Sequence, residues 1–209
     1  MLRDQVDYGD LSRKTFKFLK GIAAETFQVP RKQVPRVLFH GLILAFIIAG
    51  FWLIDSLKDP VLSTTVGIEY QPLAKLLSVV STLFVVCIYD FLTSLVTKPA
   101  LFHIIATIFG LIMMIISALL SDANVGLNSS APKGPHRMLG WFAYFCIEAY
   151  GSLMTALFWS FTNSLMDLEQ AKGAYGLIIA IAQVGAILGS TLATNAGNIG
   201  WYINLFLFA

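Results

Sequence analysis

One carboxylate interrupts an otherwise apolar stretch. In "YFCIEAYGSLMTALFWSFTN", residues 144–163, Glu148 sits inside a run long enough to cross a bilayer as a helix. A charged side chain at the bilayer centre costs roughly 2.5–3.5 kcal/mol on insertion scales, so it needs a counter-charge, a water-filled cavity or a function. Counted from Leu139 at the helical rise, Glu148 lies ~13 Å into the membrane, close to the midplane. At helical spacing Glu148, Ser152, Thr155, Trp159 and Asn163 share one stripe, which reads as a face turned to water or ligand. Phe142, Leu153, Phe158 and Leu165 are left to meet lipid or packed neighbours.

A second stripe begins with a cation. Lys75, Ser78, Thr82, Tyr89 and Thr93 recur three, four or seven residues apart, so two polar faces suggest a hydrated pathway with Lys75 and Glu148 looking into it. Each residue also has a plainer reading. Lys75 lies close to Pro72 and can snorkel to the interface, and Glu148 can belong to a buried Glu–Lys pair that fixes helix packing. Asp55 and Asp90, near helix ends, read as reaching interfacial water, and His40 and His103 as interfacial or packing residues. No HExxH or other ligand cluster supports a metal. Phosphate loop, dinucleotide fingerprint and nucleophile elbow are all missing, so neither ATP hydrolysis nor another enzymatic activity is expected.

These residues must be held by membrane helices. The chain has 209 residues, 57% of them hydrophobic and 12% charged, a composition that a soluble domain could not cover with polar surface. Cys87 and Cys146 lie in apolar runs with no redox or ligand spacing. Residues 1–36 form a basic polar segment in which "SRKTFKFLKGIAAETF" reads as an amphipathic helix on a membrane surface. Residues 37–209 read as an all-α transmembrane bundle with five complete spans at about 37–57, 73–96, 100–120, 139–163 and 174–194. A sixth begins near Ile199 and is cut short at Ala209. Pro60, Pro72, Pro99 and "SSAPKGPHR" are expected to mark the connections. Lys and Arg concentrate in the tail, at Lys98 and at Lys172, which puts the N-terminus on the cytoplasm-like side with Lys58, Lys133 and Arg137 opposite. Gly185 and Gly189, four apart, predict a close helix contact.

Three segments carry a family resemblance. "IEAYGSLMTALFWSFTN" followed by "EQAKGAYGL" resembles the E-L-W-G-S…L-F-W-x-F-x-N…E-A-K-x-x-Y segment of the nucleotide transporters typified by plastid and intracellular-bacterial ATP/ADP antiporters. "DSLKDPVL" resembles that family's first-helix L-K-D motif, and "YQPLAKLL" its I-P-F-L-K segment. The matches fall in family order over about residues 40–195. The resemblance implies a twelve-helix transporter similar in architecture to the major facilitator fold, of which this chain is the N-terminal half.

It further implies ATP/ADP exchange by alternating access, with ATP, ADP and the lipid bilayer as partners, no cofactor and no nucleic acid. The implied transport residues are Lys75 and Glu148, with Lys58 and Asp59 from the L-K-D motif and Asn163 from the aromatic–Asn element. Tyr150 and Trp159 would stack on the base if they face the pathway. The implied membrane is an organelle inner membrane, such as that of a plastid, or a bacterial inner membrane. Departures are Tyr150 for Trp, Ala149 for Leu and Ala74 for Phe. The alternative reading is a structural membrane subunit derived from such a transporter and associated with other subunits.

Overall fold

The computed structural model describes residues 29–195. Most of the basic segment 1–36, and the sixth helix expected from Ile199, lie outside the described residues. Those described form five long helices and one 3-10 turn, with no strand among them. The order is α1 (Val34–Thr65), the turn Ile68–Tyr70, α2 (Gln71–Leu95), α3 (Lys98–Ser121), α4 (Met138–Leu165) and α5 (Leu168–Thr194).

Proline sets three of the helix starts. Pro35, Pro72 and Pro99 each stand in a first turn, where the missing N–H has no intrahelical partner to lose. Pro60 behaves differently. The sequence reading ended the first span at residue 57, yet α1 runs through Pro60 to Thr65, 32 residues in all. Proline removes one bond, the one its N–H would have donated to the Ser56 carbonyl. Ending the helix there would expose several more backbone groups, which hydrocarbon cannot satisfy. Hydroxyls reinforce the turn that follows: Ser63 and Thr64 donate to the Pro60 carbonyl at 2.9 and 2.8 Å, and Thr65 to Val61 at 2.7 Å.

Four helical segments among the described residues are long and apolar enough to cross a membrane: Val34–Thr65, Ile68–Leu95, Lys98–Ser121 and Gln170–Thr194. The expected fifth, α4, has the length at 28 residues, but Glu148 and several Tyr, Trp, Ser and Asn residues make it less apolar. Its neighbours explain this. α4 packs against α1, α2 and α3, so much of its surface meets protein. Phe158, Leu157, Ile147 and Tyr144 of α4 are buried, whereas α2 leaves Leu76, Val80, Leu83, Phe84 and Phe91 uncovered, an apolar surface suited to lipid.

Cross-contacts fix the directions. Arg36 donates to the Leu165 carbonyl, Tyr150 reaches Ile47 and Gly140 abuts Thr65, so α1 and α4 are antiparallel. α5 lies along α1 in parallel. A Cβ on Gly185 would run into the Ala45 carbonyl oxygen, and one on Gly189 into that of Ala49, so the predicted small-residue contact forms backbone against backbone. At the opposite end from Arg36, Arg137 clamps the loop before α4, donating to the Val125 and Gly126 carbonyls at 2.8 and 2.6 Å.

Candidate functional site

Because α1 continues past Pro60, Lys58 is a helical residue with a fixed direction. Asp55 stands one turn before it, and the Lys58 Nζ donates to Asp55 Oδ1 at 2.5 Å. The same ammonium donates to Glu148 Oε1 on α4 at 2.6 Å. It also sits 5.6 Å from the centre of the Tyr144 ring, one turn before Glu148, a cation–π contact. The side chain of Lys58 is only 13% exposed and that of Glu148 28%, so water screens the pair weakly.

Two more polar groups adjoin this bridge. Asp59 follows Lys58 on α1, and its Oδ1 is buried without a hydrogen-bond partner among the described residues. Tyr144 is 1% exposed, and its hydroxyl also lacks such a partner. Asp55, Lys58 and Asp59 lie within about one turn of α1, and Tyr144 lies one turn from Glu148 on α4 with its ring beside the Lys58 ammonium. The cluster thus holds three carboxylates and one ammonium. Among the described residues no group of His, Cys, Asp and Glu has a metal-binding arrangement.

Of the readings open for Glu148, the structure shows a Glu–Lys pair: its partner is Lys58, across 90 residues of sequence, and not Lys75. Lys75 is exposed and makes no ion pair among the described residues. Its neighbour Ala74 is buried in the same apolar cluster as Tyr144, so Lys75 stands near the level of the ion pair on the adjacent helix. Ser78, expected on an open polar face, is buried and donates to the Lys75 carbonyl at 2.8 Å. Asp55, read as reaching interfacial water, is held in the ion pair.

The α4 stripe divides between two neighbours. Trp159 packs edge-on to Tyr175 of α5 at 5.0 Å, and the Tyr175 hydroxyl donates to Asn163. Asn163 is 15 residues from Glu148, ~22 Å along the axis, and belongs to the other end of the bundle. Tyr150 turns elsewhere again. Its hydroxyl donates to the Ile47 carbonyl at 3.3 Å and its ring meets Phe109 edge-on at 5.6 Å, beside an apolar-lined cavity of about 190 Å³ that also borders Met113 and Met154. Tyr144 is the cluster residue that sequence reasoning passed over, although its place one turn before Glu148 was a usable signal. His40 is buried, donating to the Arg36 carbonyl at 2.8 Å and stacking on Phe161. His103 lies edge-on to Phe102.

No solved structure matches the chain. It is similar to ADP,ATP carrier protein 4 of Rickettsia typhi, 26% identical over 194 residues, covering 84% of this chain and 38% of the carrier. ADP,ATP carrier protein 4 of Rickettsia conorii is 24% identical over 210 residues, covering 92% and 41%. The chain therefore spans about two fifths of the length of these curated relatives. The family model described as TLC ATP/ADP transporter matches residues 12–206, nearly the whole chain. With that coverage, the chain belongs to the TLC ATP/ADP transporter family.

Proposed function

We propose that this chain is the N-terminal half of a carrier that exchanges ATP for ADP by alternating access, with the Lys58–Glu148 bridge as its switch. In this reading α4 spans the membrane together with the four more apolar segments, in an arrangement like one half of a major facilitator transporter. The N-terminus lies on the Lys- and Arg-rich side. The observation that carries the proposal is that one ammonium is shared by carboxylates on two helices.

A nucleotide phosphate offers Lys58 a replacement for Glu148, and binding that competes for the ammonium loosens the seam between α1 and α4. Asp55 stays with Lys58 throughout, so the cation is never left bare. Lys75, exposed at the same level, supplies the first positive charge that the phosphates meet. The nucleotide crosses chemically unchanged. Exchange is driven by the concentration gradients and by the charge difference between ATP and ADP.

The test is uptake of labelled ATP into vesicles carrying the full-length protein and preloaded with ADP. Saturable uptake that depends on internal ADP is expected, abolished in Lys58→Ala and with a raised KM in Lys75→Ala. Uptake indifferent to internal ADP would refute exchange, and normal exchange in Lys58→Ala would remove the switch.

A further inference from the structure

α5 has two unlike sides. Ala174, Ile178 and Ala182 are buried, and Gly185 and Gly189 meet the α1 backbone, so α1 fills this stripe. At helical spacing the far side of α5 carries Gly176, Ala180, Gln183, Thr191 and Thr194. Gly176 is half-buried and the other four are exposed. A surface made for lipid is apolar, as at Ile108 and Ile115 of α3. One flank of α5 has that character, where Val184 and Leu188 join Leu42 and Phe46 of α1 in an apolar groove. The far side does not.

Its polar centre is Gln183. This residue stands 15 positions after Leu168 and 11 before Thr194, ~22 and ~16 Å along the axis, within a hydrocarbon core of about 30 Å. Its amide brings two donor hydrogens and an acceptor oxygen, and none of them has a partner among the described residues. The hydroxyls nearby are already satisfied. Ser190 donates to the Ala186 carbonyl at 2.8 Å, Thr191 to Ile187 at 2.6 Å and Thr194 to Thr191 at 2.7 Å. Each bond stays within α5, so Gln183 is the polar side chain of this stripe that must bond outside its own helix.

Acyl chains offer an amide no partner. A second helix does, and Gly176 and Ala180, four residues apart beside Gln183, leave room for its backbone to come close. The other described helices do not provide it, because α5 packs almost wholly on α1, with Tyr175 alone bonded across to α4. The partner therefore comes from outside these five helices. A second copy would have to set Gln183 against Gln183 across a two-fold axis. The relatives offer a simpler source, since this chain covers only 38% and 41% of their length and the greater part of such a carrier lies beyond it.

We infer that the far side of α5 is a docking surface for a membrane helix from the later part of the same polypeptide, which gives Gln183 its hydrogen-bond partner and lays its backbone on Gly176 and Ala180. The inference rests on the reading of this chain as an N-terminal half. α5 then stands between the two halves, fixed to α1 by main-chain contact on one side and joined to the second half by one amide and a small-residue surface on the other.

Photo-cross-linking of the full-length protein in lipid vesicles reads the neighbour directly. p-Benzoylphenylalanine is placed at Thr191 and, in a second protein, at exposed Ile108 of α3, and the products are mapped by proteolysis and mass spectrometry. The Thr191 probe is expected to join a peptide beyond Ala209 of its own chain, and the Ile108 probe to give lipid adducts. Gln183→Leu, which remains compatible with a membrane helix, is expected to lower the Thr191 yield by about threefold or more. A cross-linked dimer, a cross-link to residues 196–209, lipid adducts alone at Thr191, or an undiminished yield in Gln183→Leu would overturn the inference. Any of these with ADP-dependent ATP uptake intact refutes the docking surface and leaves the exchange proposal standing. The expected cross-link without exchange upholds the surface and refutes the exchange. An intact mass showing that the polypeptide ends at Ala209 refutes the N-terminal-half reading, and the docking surface with it.

Discussion

Removing Lys58 and removing Glu148 are expected to cost unequal amounts. Lys58→Met deletes two ion pairs together and strands Asp55 and Glu148 beside Asp59 with no cation between them. Glu148→Gln deletes one pair: Lys58 keeps Asp55, and the new amide oxygen still accepts from the ammonium. Unit charges 2.6 Å apart attract by about 6 kcal/mol at an effective dielectric constant near 20, and desolvation offsets most of it. Because the Glu148 side chain is 28% exposed, a net loss of about 1–2 kcal/mol is expected for Glu148→Gln. Stranding the carboxylates in Lys58→Met is expected to cost about 3–5 kcal/mol. The double variant should then be more stable than Lys58→Met alone by about 1–2 kcal/mol, since one stranded charge has gone. Equilibrium unfolding of all four proteins in mixed micelles measures the cycle. Equal losses in the two single variants, or a double loss equal to their sum within about 0.5 kcal/mol, would refute the reasoning.

Three other outcomes follow from packing. Gly189→Leu drives a side chain into the Ala49 backbone, which cannot yield, and should destabilise by about 3 kcal/mol, against less than about 0.5 for exposed Ile187→Ala; thermal melting in detergent compares them. Arg137→Ala removes both clamps on the loop between α3 and α4 and should cost about 2–4 kcal/mol, with the loop becoming the first site of limited proteolysis. Tyr150→Phe loses one hydrogen bond to Ile47 and should cost about 0.5–1 kcal/mol, with no change in nucleotide KM. A tenfold rise in that KM would place the Tyr150 ring on the substrate path after all.

Much of the helical order was legible because it follows from local rules. Apolar length found the helices, Pro72 and Pro99 marked two connections, and two glycines one turn apart pointed to a close helix contact, though not to its partner. That Glu148 needs a counter-charge, a cavity or a function was also legible from the cost of an unpaired charge in hydrocarbon, and a Lys partner was one of the readings it left open. The identity of that cation was not. Reading Pro60 as a terminator placed Lys58 outside the first span, whereas a helix in lipid tolerates one lost bond more readily than a frayed end. Once Lys58 is helical, its i, i+3 relation to Asp55 is visible from sequence, but its approach to Glu148 depends on how α1 crosses α4. Periodicity assigns residues to a face without naming the helix opposite. For that reason a single polar stripe on α4 serves α1 at Glu148 and α5 at Asn163.

The main-chain contact at Gly185 and Gly189 leaves no layer of side chains for α1 and α5 to slide across. A tilt of α1 about the Arg36–Leu165 contact would carry α5 with it as one lever, with that contact as its pivot. Lys58 lies 22 residues beyond that pivot, an arm of ~33 Å at the helical rise. In the exchange cycle proposed above, a tilt of only ~5° about that pivot would carry the ammonium ~3 Å, about the length of its bond to Glu148.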